Sequence, residues 1–237
     1  MGLDLPGRGA GLEVDCTDPA AVERAVAESA PEAVVHLAGI PTESSLPDAL
    51  ASHVVSTAAL LEAMLRHDVR RLVLASSNHA VGRTPRSELL TTEALPRPDT
   101  FYGVAKVAAE SLLRLYADRH GLDVLAVRIG SFLPRPTTRR QLATWLSHAD
   151  TVRMFQACLT APQPGFAVLY GVSANTRGWW DLAAGRRLGY EPQDDAEAFA
   201  VEVEAEPETE DDRREAAHVG GPFATAALER PAFDASA

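Results

Sequence analysis

Short apolar runs ending in small or polar residues alternate along the chain with longer stretches of helical period. Leu12–Asp15, Ala33–Ala38, Arg71–Ser76, Val124–Ile129 and Ala167–Tyr170 read as strands, the last four rich in Val, Ile and Leu as strands buried on both faces are. Between them lie helical stretches. Asp18 and Pro19 supply an N-cap and first-turn proline for a helix that places Val22 and Val26 on one face and runs to about Ser29. A second helix occupies about Leu46–His67, and a third runs from near Thr100 to His120 with Gly121 at the C′ position. Strand and helix in alternation predict a parallel sheet covered by helices. Ser147-His148-Ala149-Asp150 has the residue types of a hydrolase triad, but a serine three residues before an acid is the N-terminal signature of a helix. The acidic run Glu202–Glu215, with Pro207, reads as a solvated linker, and the Ala- and Gly-rich end to Ala237 as loosely ordered.

Composition narrows the classes of function. The 237 residues, 46% hydrophobic and 23% charged, suit a globular α/β protein, and no apolar run of membrane-spanning length is evident. The N-terminus has no secretory pattern, so the cytoplasm is the expected compartment. A net charge of −11 with scattered arginines argues against nucleic-acid binding. Neither Cys16 and Cys158 nor the seven histidines have metal-ligand spacing.

The candidate chemistry centres on Tyr102 and Lys106. A Tyr-x-x-x-Lys spacing alone says little, since any helix brings such residues together. Here, however, Lys106 is the only lysine among 22 basic residues. A compact ammonium can approach a phenol and a ribose diol where a guanidinium fork does not fit. It also favours phenolate, so Tyr102 is expected to titrate below its usual value of about 10 and to act as a general base. The strand end Ser76-Ser77-Asn78-His79 projects into the same crevice, because ligands of parallel sheets bind at the carboxyl ends of the strands.

These residues, with Arg128-Ile129-Gly130-Ser131, resemble the extended short-chain dehydrogenase/reductase (NAD-dependent epimerase/dehydratase) superfamily. Thr144-Trp145-Leu146-Ser147-His148-Ala149-Asp150, Gly178-Trp179-Trp180-Asp181 and Leu188-Gly189-Tyr190 bring the chain nearest to the uronate dehydrogenases, from about Leu12 to Phe199, with weaker similarity around Gly220-Gly221-Pro222-Phe223. The resemblance implies NAD as cofactor and a small sugar acid, glucuronate or galacturonate, oxidised at C1 to an aldarolactone. Tyr102 is then the base, Ser77 holds the reacting oxygen, and Lys106 holds the nicotinamide ribose and polarises Tyr102. Asn78, His79 and Ser131 are implied to bind sugar hydroxyls and Arg140 the carboxylate. Asp15, Cys16, Leu37, Ala38, Gly39, Ser76 and Ile129 fall where that family contacts the cofactor. A homo-oligomer is left open.

Two departures accompany the likeness. The family's Gly-x-x-Gly-x-x-Gly turn has no counterpart: Gly7, Gly9 and Gly11 are expected to follow no strand and open no helix, and the acid that holds the adenosine ribose is absent with the turn. About 40 residues, a βαβ unit, are expected to be missing, which splits the Leu12 strand from the Ala33 strand or exposes an edge. Pro41 stands where the family offers a serine to the sugar. The expected architecture is therefore α/β, a Rossmann-like doubly wound parallel sheet lacking its first βαβ unit: residues 1–130 bind cofactor, 131–203 substrate, and 204–237 form an acidic linker and tail. A nucleotide-sugar epimerase or dehydratase, and a non-catalytic remnant unable to bind NAD, are the competing readings.

Overall fold

The computed structural model describes residues 2–4, 11–86, 89–205, 207–225 and 232–233. Two short strands open the chain, β1 (Leu3–Asp4) and β2 (Leu12–Glu13), paired in parallel as a separate two-stranded sheet. A strand thus does precede the glycine-rich segment, contrary to expectation; Gly7 and Gly9 lie outside the described residues. The helix α1 (Pro19–Ser29) follows, with the Asp18 carboxylate accepting from the backbone of Ala20 and Ala21.

The central sheet has four parallel strands: β3 (Ala33–His36), β4 (Arg71–Ser77), β5 (Asp123–Ile129) and, after the short pair β6 (Ser131–Phe132) and β7 (Trp145–Leu146), β8 (Phe166–Gly171). They lie in the order β3-β4-β5-β8, so the fourth strand comes from beyond residue 130. Side chains alternate across the sheet with period two. Leu72, Leu74, Val124 and Ala126 join the core under α1 and two further helices, α3 (Ser56–Arg66) and α4 (Phe101–His120). Val73, Leu125 and Val127 enter a second core on the other face, with Met154 and Cys158 of a later helix, Leu169 of β8, and Tyr190. Burial on both faces explains why these strands read as continuous apolar runs.

No ladder among the described residues joins β2 to β3, so the expected split is present. Val35 and Leu37 are 38% and 62% exposed, leaving the β3 margin of the sheet uncovered.

Three expectations are corrected here. The helix expected over Leu46–His67 is interrupted: α2 (Leu46–Leu50) passes into a π-helical turn, Ala51–Val55, before α3 begins. That stretch, 21 residues from Leu46 to Arg66, is also long and apolar enough by length and composition to cross a membrane, although half of its apolar window is buried within the protein. Lastly, the acidic stretch is partly helical. After α5 (Gln141–Thr144), α6 (His148–Thr160), α7 (Ala183–Arg187) and α8 (Ala200–Val203), α9 (Glu210–Ala216) is closed by a reciprocal capping box between Thr209 and Asp212. The chain then returns over the sheet's carboxyl edge as α10 (Pro222–Thr225), with Val219 fully buried.

Candidate active site

The site is assembled where β4 and α4 meet. Thr100 caps α4 by accepting from the Gly103 amide, and Gly121 ends it at φ 64°, as its position predicted. That first turn carries Tyr102, and one turn on lies Lys106. The Lys106 ammonium donates to the Ala75 carbonyl of β4 at 2.7 Å and lies 5.4 Å from the centroid of the Tyr102 ring.

The expectation that Lys106 lowers the Tyr102 pKa is not met in this geometry. Burial pushes the phenol above its ordinary value; the Ser77 hydroxyl pulls it down and the Asp99 carboxylate pushes it up. The ammonium is held over the ring and against a backbone carbonyl rather than at the phenolic oxygen. Burial in turn lowers Lys106 to about 8, against the raising influence of Glu110.

The end of β4 divides its polar groups by the alternation of the strand. Ser76 turns under α4 and donates to Glu110 at 2.5 Å; the same carboxylate takes two bonds from the Arg128 guanidinium, at 3.1 and 2.8 Å. The Ser76 hydroxyl is thereby committed, leaving its backbone at the strand end as the part that can meet a cofactor. Ser77 faces the other way. It caps the turn Asn78–Val81 and accepts from the His79 amide. His79 Nδ1 donates to Asp99 at 2.8 Å, whose side chain is fully buried, and Asp99 also accepts from Thr100. Its imidazole stands edge-on to Tyr102, with centroids 5.9 Å apart, and to Phe223 at 4.7 Å.

The tail completes this side, which no loosely ordered segment could do. The Val219 carbonyl accepts from Asn78 at 3.2 Å and from Arg140 at 2.5 Å. Val219 and Gly220 also donate to the carbonyls of Thr84 and Gly82. Gly221, at φ +60°, leaves no space for a side chain, since a Cβ there would sit 2.2 Å from Arg140 Nε. That Nε is buried without a hydrogen-bond partner, and burial lowers the Arg140 pKa to about 10. Ser131 lies across the β6–β7 pair, its hydroxyl 2.8 Å from that of Thr144. Ile129 closes β5 opposite Ser77.

The segments that the family resemblance assigns to the adenosine are tied more locally. The Asp15 carboxylate accepts from the amide and hydroxyl of its neighbour Thr17, at 2.8 and 2.7 Å, which holds it below the usual carboxylate range. Cys16 packs half-buried against the first core. Leu37, Ala38 and Gly39 leave β3 exposed. An ammonium, a phenol and an exposed apolar strand end, Leu37 at 62%, beside the carboxyl edge of the sheet are groups that would suit the nicotinamide end of NAD. The described residues offer no glycine turn opening a helix for the pyrophosphate.

Sequence reasoning missed further groups that touch this cluster. Glu43, in the loop after β3, accepts from the amides of Phe101 and Tyr102, at 3.1 and 3.2 Å, and so holds the start of α4. Asp99 had a local signal, an acid beside the capping threonine. Phe223 lay in the weakly similar Gly-Gly-Pro-Phe string, and Val219 stands directly before it. The Ser147 capping reading stands: its hydroxyl accepts from the Asp150 amide, while the Asp150 carboxylate accepts from the amides of Gln193 and Asp194.

A doubly wound sheet with a tyrosine and a buried lysine at its carboxyl edge defines the class of NAD-dependent oxidoreductases; the model of the NAD dependent epimerase/dehydratase family matches residues 4–163, and the chain belongs to that family. Among its relatives are uronate dehydrogenases. That of Pseudomonas syringae pv. tomato is 36% identical over 88% of this chain and 75% of its own length, and that of Agrobacterium fabrum 41% identical over 79% and 70%. The crystal structure of the uronate dehydrogenase from Agrobacterium tumefaciens superposes with a TM-score of 0.87 at 37% identity, covering 97% of this chain and 86% of that one.

Proposed function

We propose that the chain oxidises a free uronic acid, glucuronate or galacturonate, at C1 to the corresponding aldarolactone. The observation that carries this reading is Arg140: a guanidinium drawn out of solvent, its Nη2 tied to the Val219 carbonyl that also holds Asn78, and its Nε left without a partner. A buried cation with an unused donor matches a carboxylate, which repays its desolvation with charge-assisted hydrogen bonds. Tyr102 takes the proton of the anomeric hydroxyl, and Ser77, beside the phenol, holds the same oxygen as charge develops on it. His79, oriented through Nδ1 by Asp99, presents Nε2 to a sugar hydroxyl, as Asn78 and Ser131 present theirs. Lys106 holds the nicotinamide ribose. When bound, NAD supplies the acceptor for the C1 hydride.

The test is NADH formation across a panel of uronic acids, neutral aldoses and nucleotide sugars. Turnover confined to the free uronic acids is expected; none with any of them overturns the reading. One observation favours a second reading, a remnant unable to hold the dinucleotide: the β1–β2 pair stands apart from the main sheet. NAD titration decides it, since a remnant binds none.

A further inference from the structure

The π-helical turn Ala51–Val55 reaches the catalytic cluster through one side chain. π-Turns inside helices concentrate at functional sites, because the extra residue pushes a side chain or carbonyl out of register. Here the displaced carbonyls of Ser52 and His53 are taken up by the hydroxyls of Ser56 and Thr57, each at 2.5 Å, so the bulge is internally satisfied. What it projects is Ser52 and His53, and both close on one residue of the loop after β3. Ser52 Oγ accepts from the Ile40 amide at 2.7 Å, and His53 Nε2 lies 2.9 Å from the Ile40 carbonyl.

A carbonyl only accepts, so Nε2 carries the proton, and a neutral ring then leaves Nδ1 as an acceptor. Burial, with the Lys106 charge nearby, lowers the His53 pKa to about 4, which keeps the ring neutral at physiological pH. His53 is 3% exposed, and its ring stands edge to face with Tyr102, centroids 5.2 Å apart and planes at 81°. Its approach requires Gly39, where a Cβ would meet His53 Nδ1 at 2.4 Å.

We propose that His53 is a positioning residue for the general base: locked to the Ile40 carbonyl, its imidazole is the fixed edge against which the Tyr102 ring stands. The tyrosine ring then lies against two imidazoles, His53 anchored by Ile40 and His79 anchored by Asp99. The same tie sets the turn from Gly39 to Pro41, which the family resemblance places beside the cofactor and the sugar. This assignment rests on the reading of Tyr102 as the base.

The test uses the whole chain with its tyrosines labelled with carbon-13 at Cζ, the Tyr102 line being assigned by its loss in Tyr102→Phe. His53→Leu removes both the tie and the ring; His53→Gln keeps a donor for Ile40, and His53→Phe keeps the ring. Expected for His53→Leu is a displaced or split Tyr102 line. Where turnover is measured, kcat falls about 10- to 100-fold, with KM for the uronic acid and Kd for NAD within about threefold. The Gln and Phe variants fall between. An unmoved line and unchanged kcat in His53→Leu overturn the proposal. Should that variant lose its native circular dichroism, an unmoved line in both His53→Gln and His53→Phe overturns it equally. Native protein that oxidises no uronic acid, while its Tyr102 line still responds to His53→Leu, defeats only the substrate reading.

Discussion

The two sides of the crevice hold their polar groups by different means. Where the proposed reading puts the substrate, bonds that are long in sequence anchor the site: Asn78 reaches Val219 across 141 positions, Arg140 meets the same carbonyl, and His79 reaches Asp99, from which Thr100 and Gly103 continue into the start of α4. Where the same reading puts the adenosine, they are local. Asp15 is satisfied by Thr17 two positions on, and the β1–β2 pair is outside the main sheet. Groups tied by tertiary contacts keep one geometry at little entropic expense during reaction, whereas local turns move with their own segment. The contrast implies that mutations on the substrate side act on chemistry and substrate affinity, and that those on the adenosine side do little.

The largest expected effect is at the base. Tyr102→Phe should reduce NADH formation from uronic acids by about a thousandfold, within the 10²–10⁴ range of a lost general base. Substrate and NAD affinities should change little, since the ring still packs against His53 and His79. Residual turnover above a tenth of the native rate would remove Tyr102 from that role.

Arg140→Leu comes next. Losing a charge-assisted carboxylate contact of about 1.5–3 kcal/mol should raise KM for the uronic acid roughly 10- to 100-fold, read from steady-state rates. Neutral aldoses should feel no loss. Arg140→Lys should not rescue, since an ammonium lacks the fork that meets Val219 and a carboxylate together.

How far these roles were legible in the sequence follows the same division. Tyr102, Lys106, the strand end at Ser77 and the caps Thr100 and Gly121 lie within one helix or one strand end, where period and residue type speak directly. Glu43, His53 and Val219 act across the fold, and no spacing encodes a partner 50 or 140 positions away. The π-turn was hidden because an apolar run of helical period does not reveal one extra residue in a turn. The acidic helix was hidden by composition, its capping box at Thr209 and Asp212 being the overlooked signal.

Smaller effects come from the backbone of the tail. Gly221→Ala forces a methyl to within 2.2 Å of Arg140 Nε in a residue at φ +60°, so it should raise KM for the uronic acid about tenfold with a smaller change in kcat. Gly165→Ala is the control. It sits at φ +59° with nothing within 4 Å, so it carries the backbone strain without the collision and should leave KM unchanged.

Lys106→Met separates function from stability. Nicotinamide binding should be lost, yet the protein should unfold at higher denaturant by up to about 3 kcal/mol at neutral pH, because a buried ammonium lowered from 10.5 to about 8 opposes folding. The folded pKa is below the unfolded one, so the native protein's penalty is full below pH 8 and lifts as pH rises toward 10.5. The advantage of the Met variant should shrink over that window. By the same titration, NAD affinity of the native protein should decline above about pH 8 as the ammonium is lost.

The smallest expected effect tests the adenosine side directly. If Asp15 reached the adenine, Asp15→Ala would cost a hydrogen bond and weaken NAD binding severalfold. Both of its side-chain hydrogen bonds are accepted by Oδ1 from Thr17, the hydroxyl bond being the larger cause of its lowered pKa, so the carboxylate is turned toward its own segment. The Kd for NAD measured by titration should therefore change less than about twofold. A larger change would mean that the carboxylate leaves Thr17 when the dinucleotide arrives, and the adenosine side would then share the recognition that the present geometry concentrates at Tyr102, Lys106 and Arg140.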